Sequence, residues 1–202
     1  MTDLPMTPVD DDRYVEPEDT QSLGRWLLEM VVLFACAALL AQGVKTWVVQ
    51  PYVIPSGSMI PAIVEGDHVL VNKFVYRFGT PQRGDVVILD DPTGKTPMLI
   101  KRVIAVGGER VEIKGGSVYV NDVKLIEPYT HGKPSEPGPY PLPTVVPDGY
   151  VWVMGDNRTN SQDSRWIGPQ PVDDVHGKAF FTYWPVGRMG TFSLSGTAAA
   201  SQ

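Results

Sequence analysis

Cysteine is almost missing: Cys36 is the only one in 202 residues. That excludes a disulfide framework and a cysteine-rich zinc site. Histidine is scarce as well, and His68, His131 and His176 are too scattered to form a metal-ligand spacing. Basic residues are outnumbered, 17 Lys and Arg against 23 Asp and Glu, for a net charge of −6. No nucleic-acid partner is expected, because phosphate binding needs a basic face. What is abundant points elsewhere. Hydrophobic content of 43% with five Trp argues against wholesale disorder. Twenty Gly and nineteen Pro favour short strands joined by turns over a helix bundle.

The charge is uneven. Residues 1–25 carry seven acids (Asp3, Asp10, Asp11, Asp12, Glu16, Glu18, Asp19) against Arg13 and Arg25, whereas the remainder is nearly neutral. Residues 1–22, with Pro5, Pro8 and Pro17 and little aliphatic periodicity, read as a disordered acidic tail. Trp26–Val49 is apolar on every face of a helix about 36 Å long, enough for a bilayer core of about 30 Å. Residues 23–49 are therefore expected to be a transmembrane helix. Glu29 and Lys45 lie near its ends, where long side chains reach headgroups, and Trp26 and Trp47 suit the interfaces. Arg25 and Glu29 are spaced to pair. A cleaved signal peptide would have a basic leader and an apolar run of about 7–15 residues; here the leader is acidic and the run longer. Arg25 and Lys45 alone do not set the orientation.

Residues 50–194 read as one β domain. His68–Val75 partly alternates, Arg83–Asp90 and Met98–Val106 are dense in Val and Ile, and Tyr150–Met154 and Ala179–Trp184 are strand-like. Arg110–Lys114 and Ser117–Val120 flank Gly115-Gly116, a hairpin signal. Residues 107–149 form a short β-ribbon and loop insert, in which the Pro- and Gly-rich stretch 127–147 reads as an irregular surface loop. Residues 195–202 are expected to fray.

Three segments could carry chemistry. Pro55-Ser56-Gly57-Ser58-Met59 sets two hydroxyls around a glycine in a stretch that cannot be regular helix. Such a turn can aim one Oγ into a cleft and turn N–H groups toward an oxyanion. A serine nucleophile needs a base, and no histidine is well placed; His68 falls on a strand and His176 in a loop. Lys101 interrupts Leu99-Ile100-Lys101-Arg102-Val103-Ile104, so one of two adjacent cations must share a strand face with apolar neighbours. Either both charges snorkel from an edge strand, or Lys101 is a desolvated amine whose pKa falls toward neutrality. The third segment, Gly155-Asp156-Asn157-Arg158-Thr159-Asn160-Ser161-Gln162-Asp163-Ser164-Arg165, reads as a solvated loop or, if buried, a closed network of ion pairs. It lacks the glycine and the twelfth-position glutamate of an EF-hand.

PSGSM, RGDVV, IKRV and GDNRTNSQDSR, in that order behind an apolar helix, resemble the boxes of bacterial type I signal peptidase over roughly residues 25–185. The resemblance implies a mainly β fold: one N-terminal transmembrane helix and a catalytic domain of antiparallel sheets. It implies a membrane serine endopeptidase cutting signal peptides after small residues, with the tail cytoplasmic and the domain outside. Ser58 matches the nucleophile and Lys101 the general base. Ser56 matches the hydroxyl that shares the oxyanion hole with the Ser58 N–H. Ser161 matches the serine that orients the lysine, and Asp163, Arg165, Asp156, Asn157, Arg158 and Arg102 match supporting residues. Tyr52, Ile54, Pro55, Met59, Ile63, Leu99 and Ile100 match the substrate pocket. Thr159 departs from the commonest pattern, which has Asp there.

The implied partners are preprotein signal peptides, the lipid bilayer and the secretion translocase. No metal or organic cofactor is expected. Phe74, Phe78 and Trp166 are expected in the core, with lipid contact as the alternative. Two rival readings carry different signatures. A self-cleaving Ser–Lys repressor would carry a DNA-binding N-terminal domain instead of this acidic tail and helix, and a tethered binding module would cut nothing.

Overall fold

A computed structural model describes residues 23–47 and 49–191; the expected tail 1–22 and the fraying end 195–202 lie outside them. The chain divides into two units, residues 1–41 and 42–202. In the first, helix α1 (Leu23–Trp47) includes Leu23–Gly43, a 21-residue segment of mean hydropathy 1.9 with none of its apolar window buried. At 1.5 Å per residue that segment is about 31 Å long, matching a bilayer core. Arg25 Nε donates to Glu29 Oε1 at 3.1 Å, the pairing their spacing predicts.

The second unit is built of antiparallel strands, as expected. In chain order they are β1 (Val49–Val53), β2 (His68–Asn72), β3 (Val86–Asp90), β4 (Met98–Val106), β5 (Arg110–Lys114) and β6 (Ser117–Val120). Then come β7 (Val123–Lys124), β8 (Thr144–Val145), β9 (Tyr150–Met154), β10 (Gln170–Pro171), β11 (Val175–Trp184) and β12 (Gly190–Thr191). The main sheet runs β1-β2-β11-β3-β4-β9-β10, with β12 on β11; the smaller sheet runs β7-β6-β5-β8. Gly115 and Gly116 close the β5–β6 hairpin at φ +55° and +73°, the left-handed pair a two-residue turn requires.

Near-continuous apolar runs in β3 and β4 follow from burial on both faces. Val86, Ile88 and Ile100 join one core cluster with Ile54, Met59 and Ile63. Val87, Leu89 and Val103 join another with Val151 and Val153 on the opposite face. β4 lies between β3 and β9, so the edge-strand reading of Lys101 and Arg102 fails: they are 2% and 1% exposed.

Other boundaries shift for local reasons. Val49 pairs with Asn72 in β1 instead of ending the helix, since Pro51 removes a helical donor two residues on. β2 stops at Asn72, whose Oδ1 accepts the N–H groups of Phe74 and Val75 and turns the chain. β11 begins four residues early, so His176 lies on a strand, 2.7 Å from Asp90 Oδ1, and not in a loop. Phe74, Phe78 and Trp166 are exposed by 43%, 81% and 58%, which contradicts the core expectation for each. Residues 127–147 are no free surface loop either. Tyr129, Thr130, Ser135 and Val146 are buried. Arg158 binds Glu127 through both terminal nitrogens, at 2.6 and 2.9 Å, and Tyr140 N donates to Arg165 O at 2.9 Å. The insert is thus a strap across the Asp/Asn/Arg-rich segment.

Candidate active site

The PSGSM segment leaves β1 where Ile54 N still bonds Asp67 O, then tightens into a 3₁₀ turn over Gly57–Met59. Met59 is wholly buried and anchors the turn, while Ser58 is 7% exposed. β4 brings Lys101 to it. Lys101 Nζ lies 2.8 Å from Ser58 Oγ and donates to Ile100 O at 3.0 Å. The Ser56 hydroxyl is exposed and lies 3.4 Å from Ser58 Oγ, the outer limit of a hydrogen bond.

Burial governs the amine. Desolvation lowers the Lys101 pKa from 10.5 to about 8, partly opposed by the carboxylates of Asp163, Asp91 and Asp156 and assisted by the Arg165 guanidinium. A neutral amine offers a lone pair to Ser58 Oγ–H, so the pair can deprotonate the hydroxyl at mildly alkaline pH.

The third segment surrounds this pair as a closed network. Arg102 grips Asp156 at 2.8 and 2.7 Å and donates to Gly84 O at 3.0 Å. Arg165 grips Asp163 at 2.8 Å through two nitrogens, and Asp163 also accepts Gly155 N at 3.0 Å. Arg158 Nε holds Gly155 O at 3.1 Å. The Arg102 guanidinium stacks 4.2 Å over Tyr129, a contact with the insert. Asn157 bonds the Gly57–Met59 turn directly, from its N–H to Ser58 O and from Nδ2 to Gly57 O, both at 3.0 Å. Gly155 permits this closeness: a Cβ there would sit 2.3 Å from Ser161 Oγ and 2.5 Å from Ser58 O.

Ser161, expected to orient the lysine, makes no hydrogen bond to it in this structure. Its Oγ is buried with no hydrogen-bond partner among the described residues, and Lys101 Nζ bonds Ile100 O instead, an acceptor one residue away. Ser161 lines a cleft of about 620 Å³ together with Thr159, Asn160, Gln162 and residues 134 and 136–138 of the insert.

An apolar cavity of about 200 Å³ is lined by Tyr52, Ile54, Pro55, Leu99 and Ile100, five of the residues that the resemblance assigns to a substrate pocket, and by Val53, Ile88, Pro97 and Met98, which sequence reasoning missed. Met59 and Ile63 are absent from that lining; at 0% exposure they belong to the core beneath it. The missed residues come from the end of β1, from β3 and from the entry into β4, and only strand register reveals that they converge. β9 pairs with β4 only from Arg102 onward, so Met98–Lys101 has one backbone edge without a strand partner among the described residues. No cluster of His, Cys, Asp or Glu able to hold a metal occurs among the described residues.

Comparison with known proteins shows the family. The family described as "Signal peptidase, peptidase S26" matches residues 27–184. The "Probable signal peptidase I-1" of Synechocystis sp. is 39% identical over 174 residues, covering 82% of this chain and 87% of that protein. "Signal peptidase I" of Mycobacterium tuberculosis is 36% identical over 219 aligned residues, covering 81% of this chain and 74% of that protein. The crystal structure of a signal peptidase I from Enterococcus faecalis aligns with TM-score 0.42 at 31% identity, covering 50% of this chain and 97% of that one. With the family matching well over half of its length, this chain belongs to the signal peptidase family, the S26 serine endopeptidases.

Proposed function

We propose that the chain removes N-terminal signal peptides from exported preproteins, using Ser58 as nucleophile and Lys101 as general base. One observation carries the reading: a buried amine with a pKa lowered to about 8 stands 2.8 Å from a buried serine hydroxyl. Neutral Lys101 takes the Ser58 proton as Oγ attacks the scissile carbonyl. The oxyanion is held by the Ser58 N–H and the Ser56 hydroxyl, which turns from Ser58 Oγ to reach it. Lys101 then protonates the leaving amine. The same lysine next deprotonates the water that releases the acyl-enzyme.

The substrate lies extended along the unpaired edge of Met98–Lys101 and pairs with its backbone. Small side chains of an A-x-A pattern enter the apolar cavity beside Ile54 and Ile100. The N-terminal tail is cytoplasmic and the β unit extracytoplasmic, which is where a signal peptide's cleavage region emerges. The secretion translocase is the partner that delivers it.

The test is incubation of the detergent-solubilised full chain with one labelled preprotein, followed by sequencing of the new N-terminus. A cut directly after A-x-A by wild type, and none by Ser58→Ala or Lys101→Arg, is the expected result. Arginine keeps the charge but cannot act as a neutral base. Undiminished cleavage by Lys101→Arg ends the dyad assignment.

A further inference from the structure

The Gly57 carbonyl and the Ser58 N–H belong to one planar peptide unit, which is trans, so they point in opposite directions. Whatever holds the oxygen therefore aims the N–H. Gly57 O accepts Ile60 N at 3.2 Å within the 3₁₀ turn and Asn157 Nδ2 at 3.0 Å from outside it. Asn157 Oδ1 in turn accepts Lys133 Nζ at 2.7 Å. An ammonium has donors only. The amide of Asn157 is therefore held in one orientation. Flipped, it would set NH2 against the ammonium and oxygen against the Gly57 carbonyl, like facing like at both ends.

Three dipoles thus line up head to tail behind a positive charge: ammonium, side-chain amide, then the Gly57–Ser58 peptide. Hydrogen bonds in such a chain polarise one another, which makes the terminal N–H a stronger donor. The surroundings preserve the effect, because Asn157 is 6% exposed and Lys133 half-buried. Lys133 is not needed to tether its own segment. The Pro-rich stretch 127–147 is already pinned by Glu127 on Arg158, by Tyr140 N on Arg165 O, and by Ser135 N on Gly116 O at 2.9 Å.

We infer that Lys133 and Asn157 form a charge-headed hydrogen-bond relay that aims and polarises the Ser58 N–H, so that the Pro-rich insert strengthens the oxyanion hole. Both are positioning residues and neither touches substrate. The inference rests on the proposed role of the Ser58 N–H as an oxyanion donor.

The test uses the full chain in detergent micelles cleaving one labelled preprotein. Lys133→Met is expected to lower kcat about tenfold, short of the roughly 10²–10³ that follows loss of a whole donor. KM, the melting temperature and the midpoint of the acid limb stay at wild-type values. Lys133→Arg, which restores a cationic donor, recovers most of kcat. An NMR spectrum of serine-labelled protein supplies a second readout, in which Lys133→Met moves the Ser58 amide proton upfield. A kcat within twofold of wild type overturns the relay, as does a change confined to KM or to melting, or an unmoved Ser58 amide. If wild type leaves the preprotein intact, or Ser58→Ala cuts it equally well, the peptidase reading fails and the relay with it. Active wild type, inert Ser58→Ala and unimpaired Lys133→Met together sink the relay alone.

Discussion

Lys101→Met should give a protein that is inactive and yet more stable than wild type at neutral pH. Folding takes this amine from water into a site where it is 2% exposed, and its pKa drops from 10.5 to about 8. At about 1.36 kcal/mol per pH unit, the drop corresponds to about 3 kcal/mol of stability forgone while the unfolded chain holds the proton. Methionine fills much the same space without that cost. It leaves Ser58 Oγ and Ile100 O each short of one donor, an offset of about 1 kcal/mol. The net expectation is about 2 kcal/mol in favour of the variant at pH 7.

The sign of the pH dependence is diagnostic. A lysine with a lowered folded-state pKa carries its full penalty below pH 8. The penalty shrinks between about 8 and 10.5, where the unfolded chain binds more protons than the folded one, and vanishes above. Urea unfolding of the full chain in micelles, followed by tryptophan fluorescence at pH 7, 9 and 10.5, measures it. An advantage of the variant that is absent at pH 7, or that does not decline with rising pH, refutes the desolvated-amine account.

Three further outcomes are expected. Cleavage rate against pH should fall about tenfold per unit below a midpoint near 8, as Lys101 takes up a proton; a flat profile down to pH 6 contradicts a titrating base. Gly155→Ala should abolish cleavage and destabilise by about 1–3 kcal/mol in urea titrations, because its Cβ would stand 2.5 Å from Ser58 O, a backbone atom with no free rotamer. Arg102→Met should lower stability by about 3–5 kcal/mol, since it strands Asp156, which is 0% exposed, without its counter-charge; a denaturation midpoint at the wild-type value would show that Asp156 finds another partner.

The insert ties these results together. Glu127, Tyr129, Lys133 and Ser135 lie in a stretch whose composition signals only turns, yet each meets the ion-pair network around the candidate dyad: Glu127 and Ser135 bind Arg158, Tyr129 lies under Arg102, and Lys133 binds Asn157. Turn-rich composition reports local backbone preference and carries no information about a partner thirty residues away. The polar side chains spaced through the prolines were the available signal.

Local rules sufficed for much of the chain. The apolar run of α1, the β4 and β9 boundaries and the glycine hairpin follow from side-chain periodicity and from φ values that only certain residues tolerate, so the sequence determined them by itself. A lysine out of place in an apolar strand raised Lys101 as a candidate base, and the family resemblance singled out Ser58 as its partner. Tertiary structure decided what no neighbour in sequence can encode. It placed β4 inside the sheet, which is what strips water from Lys101. It drew Val53, Ile88, Pro97 and Met98 into the apolar cavity and sent Met59 and Ile63 beneath it. It also left the Ser161 hydroxyl without the lysine it was expected to hold. Burial and strand register are sums over distant parts of the chain, and a pKa shift is a consequence of burial, so the chemistry of this site comes into being only when the sheet closes.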